Sequence, residues 1–512
     1  MHVDARTMDN NSLIEGDICI VGAGAAGLSI AMEWMNTSYK VILLEGGGFD
    51  YDDKVQELYR GKNTGQHYYP LKSTRLHYFG GTTGHWGGFC SIFDAIDFTK
   101  RDWVENSGWP ISLDDVLPFY PRAHDYLDLG HYDYTVDYWL KQDDHFAALK
   151  LDEKVIRNKI WRFSAPTRYG PKYKDNIVSA ANIHLYTYAN LVDIKANENV
   201  SSINEVTVKN HEGKTHRVRA KYFILACNAI QNARVLLAAN QQAPKGLGND
   251  NDIVGRYFME HIEVKSALLR LKEAAALYFY QLNAKARAEL AISAEKQTEL
   301  KILNGTASLM PLSVAEKMKP VIETWSKDDP RESKQVMHDA HNKAEGSRIS
   351  QLFESNTHHV FELTTRIEQA PNPLSRVSLD TEKDALGMPR AQLNWVFTPL
   401  EKKSVRKMYE LIGQQVGLAD LGRLQLMDYL RDENDASWPI YTGGGWHHMG
   451  TTRMSDDPKT GVVDANCKMH GVDNLYIAGA STYATAAAVN PTLTIVALSL
   501  RLSDYLKQKI KS

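Results

Sequence analysis

The alternation of apolar and polar positions opens as strand, turn, helix, strand. Residues 17–21 form a short apolar run ended by glycine, which suits a strand buried on both faces. Residues 22–27 make the turn, and 28–35 carry apolar residues at helical spacing. Residues 40–44 form a second apolar strand, closed by Glu45 and three glycines. A long aromatic-rich stretch follows, with turn signals at Gly108-Trp109-Pro110 and Pro118. Short strands are predicted at 183–186, 205–208 and 222–225, the last two joined by a hairpin turn carrying His211-Glu212-Gly213. A helix over 230–239 closes this block. Residues 270–345 are richer in Lys, Glu and Ala and read as helix or loop. Strand character returns at 366–379 and 392–397. The last sixty residues are rich in Gly and Thr until an apolar helix over 493–506.

A chain of 512 residues is long for one core, so two intertwined domains are expected. Hydrophobic residues at 43% and charged residues at 24% are ordinary for a globular protein. A net charge of -3 gives no electrostatic case for nucleic acid. No apolar run reaches the roughly 18–20 residues of a membrane helix, and the polar start lacks a secretory signal. Cytoplasmic placement is the default, with export alongside a partner subunit left open. Four cysteines without a C-x-x-C indicate neither a disulfide framework nor a zinc site. His211-Glu212-Gly213-Lys214-Thr215-His216 is one residue too long for a zinc motif. The His358-His359 pair and the charged stretch 326–347 read as solvated surface, and Trp395 as either core or cavity wall.

Gly22-Ala23-Gly24-Ala25-Ala26-Gly27 is a G-x-G-x-x-G directly after a strand and opening a helix. Gly22 permits the tight turn, Gly24 lets backbone approach a pyrophosphate, and Gly27 packs helix against strand. The helix N-terminus then offers free N–H groups to phosphate. Glu45 ends the second strand, where a carboxylate binds ribose hydroxyls. This is a dinucleotide site, but the block alone does not separate FAD from NAD.

Further blocks make the choice. They are Phe79-Gly80-Gly81-Thr82-Thr83-Gly84-His85-Trp86-Gly87-Gly88; Ala226-Cys227-Asn228-Ala229-Ile230-Gln231; His447-His448-Met449-Gly450-Thr451-Thr452-Arg453-Met454; Ala478-Gly479-Ala480; and Asn490-Pro491-Thr492. Together they resemble the glucose-methanol-choline (GMC) oxidoreductase family, most closely its pyranose oxidase and glucoside 3-dehydrogenase branch. The resemblance runs from about Asp17 to Leu506 and is poorest between about 265 and 360. Asn228 stands where the family usually has glycine, although asparagine tolerates positive φ better than most residues.

The resemblance implies an α/β fold in which an FAD-binding doubly wound, Rossmann-like parallel sheet interleaves with an α+β antiparallel-sheet substrate domain. The FAD-binding portions would be 14–130, 181–264 and 445–512, and the substrate-binding portions 131–180 and 265–444. It implies FAD held by Gly22, Gly24, Ala25, Ala26, Gly27, Glu45, Gly80, Gly81, Thr82, Thr83, His85, Trp86, Gly87, Val192, Ala226, Gly479, Ala480, Pro491 and Thr492. A histidine at the place of His85 is joined covalently to the flavin in some relatives, so attachment and mere packing both stand open here. The implied reaction removes an alcohol's O–H proton and moves the C–H hydride to flavin N5. His447 matches the family's base and Asn490 its partner, an amide that stabilises a developing oxyanion without titrating. Asn490 could equally be the N-cap of the last helix. The spacing to Gly450-Thr451 favours His447 over His448. A sugar, glycoside or polyol is the implied substrate, with O2 or an external acceptor, and with or without a small partner subunit. A non-sugar alcohol, a non-redox FAD lyase, a nicotinamide dehydrogenase and a non-catalytic FAD-binding subunit are the alternatives.

Overall fold

In the computed structural model, residues 1–165, 167–281, 286–313 and 357–511 are described. Six parallel strands form a sheet in the order His2–Asp4, Ile183–Thr187, Val41–Leu44, Ile18–Val21, Tyr222–Leu225, Leu475–Ile477. The central strands Ile18–Val21 and Val41–Leu44 are buried at every residue, as strands covered on both faces must be. Helices Ala25–Glu33 and Thr492–Lys511 pack on one another beside this sheet. At its carboxyl edge Gly22 adopts φ 105°, and a Cβ there would lie 2.5 Å from the Ala226 carbonyl oxygen. Only glycine lets the two strand ends come this close, at the crevice where doubly wound sheets bind ligands.

A four-stranded sheet joins Leu13–Glu15, Thr215–Arg219, Ile203–Lys209 and Asn190–Ala196. The turn at His211-Glu212-Gly213 therefore connects Ile203–Lys209 to Thr215–Arg219, and Tyr222–Leu225 belongs to the parallel sheet instead. The short strand Thr215–Arg219 escaped the sequence reading because charged and apolar residues alternate over only five positions.

The second large body is a seven-stranded sheet. Its order is Gly422–Leu426, Ile262–Ala275, His358–Ile367, Gly305–Pro311, Ala286–Ile292, Ile156–Phe163, Phe89–Cys90. All the pairings are antiparallel. Three of these strands fall within 270–345 or run into it, where helix or loop was expected; helix Ala294–Leu300 is the described helical portion. The stretch 326–347 lies outside the described residues. The strand expected over 366–379 is two strands, His358–Ile367 and Arg376–Lys383, separated by a loop. Residues alternate cleanly along His358–Ile367. Phe361, Leu363, Thr365 and Ile367 are buried, and Thr365 donates to Tyr409 Oη on helix Pro399–Leu418 at 3.0 Å. Glu362, Thr364 and Arg366 share the opposite face. Phe89–Cys90 lies in the part of the chain assigned to FAD binding yet pairs with this sheet, and helix Tyr169–Ser179 packs beside the parallel one. No helix among the described residues is long and apolar enough to cross a membrane.

Candidate active site

A cleft of about 240 Å3 runs along the carboxyl edge of the parallel sheet. Its walls include Gly22, Gly24, Ala25, Ala26 and Glu45, then Gly81, Thr82, Thr83, His85, Trp86 and Gly87. Ala226, Gly479, Ala480, His447, Asn490, Pro491 and Thr492 complete the predicted set that lines it. Gly27 and Gly80 stand behind the wall. A Cβ on Gly27 would meet the Gly22 carbonyl oxygen at 1.9 Å, and one on Gly80 the Gly170 nitrogen at 2.4 Å, so both serve close packing. Val192 lines a smaller hollow that shares Gly22, Glu45, Tyr59 and Cys227 with the main cleft.

The fit to a dinucleotide rests on three features. Gly24 and Gly479 face open space, with no atom within 4 Å of where a Cβ would stand, so a ligand could reach their backbone N–H groups. The helix beginning at Ala25 carries no acidic residue in its first turn, which keeps its positive end available to phosphate. Glu45 is buried and accepts from Ala23 N and Gly47 N, each at 3.0 Å. Burial pushes its carboxyl above the ordinary range against those bonds. Asn228 takes φ 78° and caps helix Ala229–Ala238 by accepting from Gln231 N at 3.1 Å. Asparagine thus performs locally what glycine would do by lacking a Cβ.

At the far end of the cleft His447 and Asn490 meet. Asn490 Nδ2 lies 3.1 Å from His447 Nε2, and Trp161 Nε1 donates to Asn490 Oδ1 at 3.0 Å. An indole nitrogen only donates, so it fixes which end of the amide is oxygen. The amide N–H therefore points at His447 Nε2, which must carry a lone pair. The other ring nitrogen gives the same answer. His447 Nδ1 is 2.8 Å from His261 Nδ1, while His261 Nε2 lies 3.0 and 3.2 Å from the carbonyls of Ala487 and Ala486. Facing two acceptors, His261 Nε2 holds the proton. Burial pushes His261 down to about 3, so it is neutral and its Nδ1 accepts from His447. Burial also lowers His447 well below its ordinary value, with the Arg366 charge adding to it. The tautomers, assigned here from the network, leave one unprotonated nitrogen turned toward Asn490.

The backbone N–H of His447 donates to Glu260 Oε1 and Oε2 at 2.8 and 2.9 Å, and Tyr68 Oη donates to Glu260 Oε2 at 2.5 Å. Burial pushes Glu260 up to about 8 in spite of these donors. His448, the rival to His447, is bonded to Tyr68 Oη at 2.9 Å instead of to Asn490. Trp446 has φ 60° and sets its ring in a tilted contact 4.9 Å from His85 and edge-on 5.9 Å from Tyr69. Such a backbone on a bulky residue costs about 1–3 kcal/mol and is held by its surroundings. The amide of Asn490, a possible helix cap, is engaged by Trp161 and His447, and the helix begins at Thr492. Trp395 is 1% exposed and donates to Gln369, so it belongs to the core. His358 is half-buried and His359 exposed.

Sequence reasoning missed His261, Glu260 and Trp161. His261 lies 186 residues from His447, and nothing in Met259-Glu260-His261 sets it apart in the sequence. Trp161 reads only as an aromatic in a strand.

A parallel sheet with a glycine-cradled dinucleotide cleft, capped by an antiparallel sheet over a histidine–amide pair, defines a flavin-type oxidoreductase. Residues 371–499 match the family model for GMC oxidoreductase. The 2-methyl-1,2-propanediol dehydrogenase of Mycolicibacterium austroafricanum is 22% identical over 96% of this chain and 95% of its own. The fructose dehydrogenase large subunit of Gluconobacter japonicus is 25% identical over 60% of this chain and 51% of its own. Among solved structures, pyridoxine 4-oxidase from Mesorbium loti superposes with a TM-score of 0.57 at 16% identity, covering 96% of this chain and 99% of that one. The chain is an oxidoreductase of alcohol groups, similar over residues 371–499 to the FAD-dependent GMC oxidoreductases.

Proposed function

We propose that the enzyme oxidises a carbinol of a sugar, glycoside or polyol to a carbonyl, with His447 as base and Asn490 as its partner. The observation that carries this reading is the pair itself, an unprotonated imidazole nitrogen 3.1 Å from a fixed amide at one end of the cleft. Bound FAD would supply the two-electron acceptor for the carbinol C–H. A substrate hydroxyl entering between the two displaces the amide N–H from His447 Nε2, donating to that nitrogen while accepting from Asn490 Nδ2. His447 takes the O–H proton, a contribution of about 10²- to 10⁴-fold for a positioned general base. Asn490 stabilises the negative charge that grows on the oxygen without itself changing charge. His261 keeps the lone pair on Nε2 by accepting from Nδ1, and Trp161 keeps the amide turned toward the substrate.

Gly22, Gly24, Ala25 and Ala26 would meet the pyrophosphate, Glu45 the ribose, and Val192 and Ala226 the adenosine. Residues 80–87, Gly479, Ala480, Pro491 and Thr492 would surround the flavin. With this goes the division into FAD-binding segments 14–130, 181–264 and 445–512 and substrate-binding segments 131–180 and 265–444. His85, buried on the cleft wall beside Trp446, is the side chain for a covalent flavin link, which a fluorescent band on a denaturing gel would register. The fructose dehydrogenase relative is named as a large subunit, which supports a small partner subunit here, with O2 or another external acceptor reoxidising the flavin.

The test is anaerobic titration of the yellow protein with sugars, glycosides, polyols and simple alcohols. Bleaching by a hydroxyl-bearing substrate, slowed about 10²- to 10⁴-fold in His447→Ala, is the expected result. Oxidised flavin that no substrate bleaches, or His447→Ala reacting as fast as the native enzyme, refutes it.

A further inference from the structure

His448 follows the proposed base in the chain, and its ring turns away from Asn490 toward Tyr68 and Phe258. Its backbone is clamped on both sides. His447 N donates to Glu260, while Met449 N and Met259 N each donate to the other's carbonyl at 2.9 and 3.0 Å. The ring lies tilted 5.7 Å from Phe258 and 6.0 Å from Tyr68, with Nε2 bonded to Tyr68 Oη at 2.9 Å. It is 8% exposed and lines the main cleft, as do Arg75, Asn228 and His447.

The other ring nitrogen is free. Nδ1 has no hydrogen-bond partner among the described residues, yet it is not sealed in and keeps accessible surface. Burial and the neighbouring Arg75 charge hold the ring well below its ordinary value, so it is neutral, with one N–H and one lone pair. Nε2 uses one of the two on Tyr68, and Nδ1 holds the other. A histidine that only filled the core would have both nitrogens satisfied within the protein. An accessible, unpaired nitrogen on a clamped ring in a cleft wall points instead to a bound group.

Chain geometry says which group. Consecutive Cα atoms are about 3.8 Å apart, so His448 stands at the end of the cleft where His447 meets Asn490. On the reading proposed above the carbinol faces the flavin there, and the adenosine half lies away toward Glu45 and Val192. We propose that His448 is a cofactor-holding residue whose Nδ1 forms a hydrogen bond with the flavin half of FAD, while Tyr68 fixes the ring through Nε2. The flavin half carries ring carbonyls, a ring N–H and ribityl hydroxyls, so it can supply either partner that a neutral imidazole nitrogen needs. The inference rests on the placement of FAD in this cleft.

The experiment compares His448→Gln with His448→Asn. Glutamine reaches Tyr68 in the place of Nε2 but leaves the place of Nδ1 empty. Asparagine does the reverse, and its amide offers either an oxygen or an N–H there. In a His85→Ala background, which keeps the flavin noncovalent, FAD release from the holoenzyme is followed by flavin fluorescence after dilution. His448→Gln should speed release by about 3- to 10-fold, and His448→Asn should stay within about twofold of the background. The flavin's visible absorption bands should move in His448→Gln and not in His448→Asn, a signal the adenosine half cannot give. Unchanged release and bands in both variants overturn the proposal. So does an equal loss in both, which would assign the effect to the Tyr68 bond, or a raised KM in His448→Gln with release and bands unchanged, which would assign Nδ1 to the substrate. If His448→Gln fails to fold, the [15N]histidine signal that His448→Asn removes decides: in the native holoenzyme it should shift when the flavin is reduced, and no shift overturns the proposal. A purified native protein that carries no flavin and takes none up would strike the placement of FAD instead, so the two failures are distinct.

Discussion

Replacing His261 by phenylalanine tests the tautomer relay most directly. The ring volume is nearly kept, but His447 Nδ1–H loses the acceptor that stands 2.8 Å away. His447 is buried, so the orphaned donor costs about 1–3 kcal/mol. That cost removes the preference for the proton on Nδ1. Moving the proton to Nε2 would set it against the Asn490 amide hydrogen and take away the lone pair the substrate needs. Losing about 1–3 kcal/mol of tautomer preference corresponds to roughly 5- to 150-fold in the rate of the chemical step. The assay is stopped-flow bleaching of the flavin under anaerobic conditions at saturating substrate. His261→Asn, whose Oδ1 can replace Nδ1 as acceptor, should recover most of the rate, whereas a loss of packing alone would not be repaired by the smaller residue. The pH profile adds a second reading. Because His447 is held well below its ordinary value, native bleaching should stay level as pH falls through 6.5, where an exposed histidine base would lose half its activity. Flavin-replete His261→Phe bleaching within twofold of native, or His261→Asn no faster than His261→Phe, would refute the relay.

Trp161→Phe frees the Asn490 amide to flip; stopped-flow bleaching should slow by about 5- to 30-fold, at unchanged flavin content. Gly24→Val fills the open space beside the helix N-terminus, so the purified protein should carry little FAD by absorbance while its apo Tm stays near native. Glu260 has a folded value near 8, above its ordinary 4.5, so its share of stability is complete below about 4.5 and is lost as pH rises through 8. Between pH 6.5 and 8 that loss is about 2 kcal/mol, and denaturant titrations should show Glu260→Gln losing less stability than native over the same interval.

What the sequence determined by itself is local. The strand at 18–21, the glycine turn, the helix and the acid at Glu45 lie within thirty residues, and each is fixed by periodicity or by backbone freedom that glycine alone has. The cleft wall was legible for the same reason, because short motifs carry both the turn and the ligand contact. His447 and Asn490 were found as motif members forty-three residues apart, and the structure brings their side chains to 3.1 Å. The strands between 262 and 311 were not legible. Their polar faces, with Glu263, Arg287 and Glu289, suppress the apolar signal that marks a strand, and only pairing across the sheet explains them. Which nitrogen of His447 carries the proton was decided by tertiary structure alone. It depends on Trp161, in a strand of the antiparallel sheet, on His261, just before another strand of that sheet, and on the carbonyls of Ala486 and Ala487. A proton's position follows from the donors and acceptors around it in space, and chain order does not encode that neighbourhood.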